Sequence, residues 1–136
     1  MCSIIWKETS LLDYFLLFVD NRMLTSIVRE TKRFAVQCLS ANGKDPNSWA
    51  AVTLEELKAF LGLIIAMSIH SLPFLRDYWK DDWVLCVPEF AKVMPRNRFL
   101  DINRYLHLND NSKMPARESP NADKLFKLRK LRNLET

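Results

Sequence analysis

Gly43 and Gly62 are the only glycines in a chain of 136 residues. Tight β-hairpins need residues at positive φ, which glycine adopts freely and most side chains resist. A many-stranded β fold is therefore a poor match, and the apolar residues recur at helical rather than alternating spacing. The expected fold class is all-α, an irregular helical bundle forming a single domain over residues 1–136. Hydrophobic residues are 49% of the chain and charged residues 26%, which is enough apolar material for a core at this length.

Four helical patterns can be read. Ser10 followed by Asp13 resembles a capping box, and Leu11, Leu12, Phe15, Leu16 and Val19 follow at helical spacing. A second helix is predicted over 21–39, with Leu24, Ile27, Val28, Thr31, Phe34, Ala35 and Cys38 on one stripe. It ends in a loop over 40–48, where Gly43 can cap it and Pro46 cannot continue it. Thr53 and Glu56 then form a T-x-x-E capping box in front of LEELKAFLGLIIAMSI. The second half of that segment is apolar on nearly every face, which predicts a central, mostly buried helix. Gly62 in its middle predicts a close approach by another backbone. The last helix is expected to start at Pro95 and run through RNRFLDINRYLHL, with Phe99, Ile102, Tyr105 and Leu106 inward. Arg96, Asn97, Asp101 and Arg104 are left towards solvent. A polar loop is expected over 109–123, and the chain closes on KLFKLRKLRNLET, where leucines alternate with basic residues.

Several function classes fit poorly. Cys2, Cys38 and Cys86 are odd in number and far apart, with no CxxC pair and no histidine nearby, so neither a zinc site nor a disulfide scaffold is expected. That usage suits a reducing, intracellular compartment. The longest uncharged apolar run, Ala59 to Ile69, has 11 residues where a membrane span needs about 20. His70 and His107 are each placed near a helix C-terminus, where they meet the dipole favourably. Ser68 and Ser71 flank His70 without a third group to orient it, so a hydrolase reading has little support.

SLPFLRDYWKDDW, residues 71–83, holds the carboxylates Asp77, Asp81 and Asp82. A two-metal site needs carboxylates converging from separate elements. These three lie within six residues of one segment, so the favoured reading is an aromatic corner. In it Phe74, Tyr78, Trp79 and Trp83 pack inward and the acids cap or stay solvated. No catalytic residue, metal site or cofactor is expected in the chain.

Charge is unevenly spread. Residues 1–91 carry 9 Lys/Arg and 11 Asp/Glu, whereas residues 92–136 carry 11 and 5, so the whole positive excess lies in the last third. The candidate set is Arg96, Arg98, Arg104, Lys113, Arg117, Lys124, Lys127, Arg129, Lys130 and Arg132. Such a set is either a group of solvated helix faces or a surface that meets phosphates.

From Trp49 onward the chain resembles the piggyBac-type transposases and the proteins derived from them. W-x-x-V-T-x-x-E-L stands as Trp49, Val52, Thr53, Glu56 and Leu57, followed by F-L-G-L at 60–63. P-x-x-x-D-Y-W stands as Pro73, Asp77, Tyr78 and Trp79, and M-x-R-N-R-F occupies 94–99, with proline where the family often has serine. R-Y-L-H-L-N-D-N at 104–111 is close to the family's R-x-L-H-F-x-D-N, and K-L-x-K-L-R occupies 124–129. IVRETKRFAVQ at 27–37 is similar to the family's eTNryA helix, with lysine for asparagine.

The resemblance implies an RNase H-like DDE/D recombinase that cuts and pastes DNA with divalent metal ions. Its catalytic aspartates come after the K-L-x-K-L-R segment, beyond Thr136, so no transposase activity is expected of these residues. The matched region is similar to the first part of the family's helical dimerisation and DNA-binding domain. The resemblance therefore tips the basic set towards DNA, mostly by phosphate contacts. It also implies a nuclear location and a dimer, with a second copy or with a partner transposase chain. The alternative is a regulatory fragment that pairs with a full-length transposase through the Ala59–Ile69 helix without binding DNA itself.

Overall fold

The computed structural model describes residues 19–81, 87–114, 125, 126 and 128. Among them are four α-helices: α1 (Asn21–Ala41), α2 (Leu54–Ile69), α3 (Pro88–Val93) and α4 (Arg96–Tyr105). Short 3₁₀ turns occur at Pro46–Ser48, Leu75–Trp79 and Asn111–Lys113, and no strand is found among the described residues. The fold is all-α, as the glycine count and the periodicity predict. No helix among the described residues is long and apolar enough to cross a membrane. The helix predicted from Ser10 lies outside the described residues except for Val19.

α1 starts where Asp20 accepts a hydrogen bond from the Met23 N–H at 2.7 Å. It buries Leu24, Ile27, Thr31, Ala35 and Leu39, spaced three or four apart on one face. It runs two residues past the predicted end because Asn42, Gly43 and Lys44 close it together. Gly43 takes φ 66°, and the Lys44 N–H then returns to the Leu39 carbonyl at 2.9 Å.

α2 has the predicted capping box, with both reciprocal bonds at 3.1 Å: Glu56 N–H to Thr53 Oγ1 and Thr53 N–H to Glu56 Oε2. Two expectations about this helix fail. Leu57, Phe60 and Leu63 are buried, but Ile64 and Ile65 are exposed and Ile69 is 83% exposed. All-round apolarity marks which faces could be covered, whereas among the described residues full burial is confined to Leu57, Phe60 and Leu63, with Leu54, Ala59, Leu61, Ala66 and Met67 partly buried beside them. Its own helix backbone and chain neighbours aside, no atom among the described residues lies within 4 Å of where a Cβ on Gly62 would stand. It is exposed, and no backbone among the described residues approaches it.

The core joins Leu24 and Ile27 of α1, Leu57, Phe60 and Leu63 of α2, and Phe99 and Ile102 of α4. Phe60 and Phe99 meet with ring centroids 4.7 Å apart, and Trp79 lies 5.0 Å from Phe99. Pro73 ends the direction of α2, and the chain turns through Leu75–Trp79. The Tyr78 hydroxyl donates to the His70 carbonyl at 2.8 Å and accepts from the Leu72 N–H at 2.9 Å, stitching that turn to the end of α2. Trp79 Nε1 donates to the Met94 carbonyl at 2.8 Å. The expectation for Phe74 fails, since that residue is 71% exposed. Phe74 is the extended residue before the turn and is not part of its helical geometry. Trp83 lies outside the described residues.

α3 is not foreseen by periodicity, because six residues are too few to establish a repeat. Pro88 at its first turn was the available signal, and Phe90 is its buried anchor, with its ring 4.8 Å from Tyr78. α4 starts one residue after Pro95 and stops at Tyr105, three residues short of the expected end, because Leu106 turns out of helical geometry with ψ 120°. His107 is therefore not a helix-end residue. Its backbone N–H donates to Thr31 Oγ1 at 3.2 Å, and its ring stacks on Phe34 at 4.1 Å. These contacts return the chain to α1. His70 does cap α2, with its N–H on the Ala66 carbonyl.

Removing Phe99 should cost about 3–5 kcal/mol, read by urea unfolding of Phe99→Ala. Gly62→Ala should do the reverse and stabilise by about 0.5–1 kcal/mol, since helix propensity improves and nothing clashes. Loss of stability in that variant would mean that something does press on Gly62.

Candidate nucleic-acid interface

The ten predicted cations have different surroundings. Arg96 and Arg104 are exposed at the two ends of α4, and Lys113 is exposed on the 3₁₀ turn Asn111–Lys113. Arg117, Lys124, Lys127, Arg129, Lys130 and Arg132 lie outside the described residues.

Arg98 departs from the expectation of an open phosphate contact, because its donors are engaged within the chain. Nε donates to Glu56 Oε1 at 2.9 Å and Nη2 to Glu56 Oε2 at 2.8 Å, a two-pronged pair. Nη1 donates to the Ala50 carbonyl at 2.9 Å. The guanidinium also lies over the Trp49 ring, 5.7 Å from its centroid. Trp49 Nε1 in turn donates to Asp101 Oδ2. The Arg98 hydrogen bonds hold the Glu56 carboxyl below the usual glutamate range, and Glu56 raises the Arg98 value in return. The sequence shows the cation but not its partner, 42 positions away.

The acids of the corner divide as well. Asp77 is buried, accepts from the Phe74 N–H at 3.2 Å and pairs with Lys80 through its other oxygen. That carboxylate caps the Leu75–Trp79 turn and holds its corner. Asp81 is exposed, and Asp82 lies outside the described residues. Among the described residues no group of three His, Cys, Asp or Glu side chains is placed to hold a metal ion.

A second polar cluster links α1 to the segment after α4. Buried Glu30 accepts from Arg33 at 3.0 Å, and Arg33 Nη1 also reaches Asp110 Oδ2 at 3.2 Å. Hydrogen bonds from the side chain and backbone of Ser112 hold the Asp110 carboxyl below its usual range, with Arg33 adding to the effect. Arg33 is thus a cross-link rather than an open cation. Lys44 and Arg76 were not singled out in the sequence, yet both are exposed and pair with no carboxylate among the described residues. They belong to the net-acidic part of the chain, so charge counting gives no sign of them.

The motif residues point to a transposase-type segment, and comparison with known proteins agrees. The Transposase IS4 family matches residues 11–133. Human PiggyBac transposable element-derived protein 5 is 34% identical over 101 residues, covering 74% of this chain and 19% of that protein. Human PiggyBac transposable element-derived protein 2 is 33% identical over 125 residues, covering 92% of this chain and 19% of that protein. This chain belongs to the piggyBac-type transposase family, and it spans about a fifth of the length of these relatives. No solved structure matches it.

The Glu56–Arg98 pair makes stability depend on acid. A carboxyl held low in the folded state stabilises above its unfolded value and loses that contribution as pH falls through the folded value. Urea midpoints should therefore fall more steeply below about pH 4.5 in the wild type than in Glu56→Gln. Equal slopes would show that the pair does not contribute to folding.

Proposed function

We propose that this segment supplies DNA-backbone contacts and a dimer contact to a transposase-derived protein, and that its own residues do not carry out strand cleavage. The observation that carries the reading is the basic excess of residues 92–136 in a chain of this family. Exposed Arg96, Arg104 and Lys113 leave their charges open to phosphates. Asp77 is committed to its corner, which argues against a metal role for it. Membership of this family supports a nuclear location.

The runner-up is a protein-interaction segment that pairs with a transposase chain without binding DNA. Exposed Ile64, Ile65 and Ile69 on α2 favour it, since such side chains gain from being covered.

Titration of labelled duplex DNA over a salt series separates the two. Affinity should fall steeply with salt. Joint Lys127→Glu, Arg129→Glu and Lys130→Glu substitutions should weaken binding and flatten the slope by about one for each phosphate interaction removed. Absence of binding at low salt, alongside mixed dimers in sedimentation, would favour the runner-up.

A further inference from the structure

Two surface depressions flank α4, and each carries cations from outside the predicted basic set. The first is lined by Phe74, Leu75, Arg76, Asp77, Lys80 and Leu100. The second is lined by Asn42, Lys44, Arg104 and Tyr105. Leu100 and Arg104 are four residues apart on α4, and Arg96 is four residues before Leu100, so all three share one helix face. That face therefore links the two depressions. Arg96 and Arg104 are eight residues apart, a rise of about 12 Å, which is close to the width of the B-DNA major groove, about 12 Å.

Cations predominate along this face. Arg76, Arg96, Arg104 and Lys44 pair with no carboxylate among the described residues, and Lys80 is partly neutralised by Asp77. Two of the nearby carboxylates that could oppose an anion are turned to other partners. Asp77 is buried against the Phe74 N–H and Lys80, and Asp101 accepts from Trp49 and lies 3.7 Å from Arg98. Asp81, next to Lys80, and Asp45, next to Lys44, are the exposed acids that remain at the two ends.

We propose that the Arg96–Leu100–Arg104 face of α4, extended by Arg76 beside Leu100 and by Lys44 beside Arg104, is a track for the phosphate backbone of duplex DNA. This rests on the DNA-binding reading above and assigns it to a surface, with Lys44 and Arg76 as phosphate contacts supplied by the net-acidic part of the chain. A track of this kind reads no bases. It sets the position of the protein on the duplex, and its contribution depends on salt.

The test compares two pairs of substitutions with equal charge change, by fluorescence anisotropy of one labelled duplex across a salt series. Arg76→Glu with Arg104→Glu should lower affinity by about tenfold or more and reduce the log–log salt slope by about two. Arg22→Glu with Lys32→Glu, exposed on α1, should change affinity by no more than about twofold and leave the slope as it is. Arg76→Gln with Arg104→Gln removes charge without adding repulsion, so the same slope change is expected from it even if the glutamates perturb folding. Equal losses from the two glutamate pairs would overturn the track and leave only net charge. Binding unaffected by the Arg76 and Arg104 pairs, but abolished on reversing Lys127, Arg129 and Lys130, would also overturn it while leaving the DNA-binding reading in place. A wild-type chain that binds no duplex at low salt would remove that reading itself.

Discussion

Glu56 holds three parts of the molecule together. One of its oxygens accepts from the Thr53 N–H and closes the first turn of α2, while both oxygens take the Arg98 guanidinium from α4. Arg98 continues the link to the Ala50 carbonyl and the Trp49 ring, and Trp49 reaches Asp101 on α4 again. A loop end, a helix start and a second helix are thereby fixed in one geometry. The Phe60–Phe99 contact lies one turn further along α2 and at the next residue of α4, so the polar fork and the aromatic core are set in register. The fork carries direction as well as attraction, because a planar guanidinium meeting a carboxylate with two bonds permits few relative orientations.

With Arg98 fixed by Glu56, Arg96 and Arg104 are the exposed cations that remain on α4, with the partly buried Leu100 between them. Phe99 and Ile102 occupy the buried stripe of this helix. The same division of labour appears at the corner after α2. Tyr78 and Trp79 anchor it, Asp77 caps it, and Arg76 is left in solvent. Structural polar groups and open cations thus alternate along a few residues of chain, and burial separates them more reliably than residue type does.

Much of the helical framework can be read from local chemistry. The Thr53–Glu56 box, the Leu24–Ile27–Thr31–Ala35 stripe and Gly43 at the end of α1 each follow from interactions within one turn or one face. α3 escapes that reading because six residues carry no period. Gly62 and the second half of α2 mislead because apolarity cannot state which neighbour is present. At the candidate interface the basic excess of the last third is visible as composition, and Arg96 and Arg104 are found in it. Arg98 in the same count is withdrawn by Glu56, while Lys44 and Arg76 lie in a region whose net charge hides them.

The all-α class, the family motifs, the helix starts and the polarity of charge along the chain are properties of the residue order alone. They depend on backbone preferences, capping and period, all of which act over a few residues. Folding in three dimensions was needed to make Arg98 a cross-link, to stack His107 on Phe34, to turn Phe74 to solvent and to bring Lys44 and Arg76 to the flanks of α4. Each of those outcomes depends on pairs of residues distant in the chain, or on the absence of such a partner among the described residues. A charge or a ring in a sequence does not reveal what it will meet.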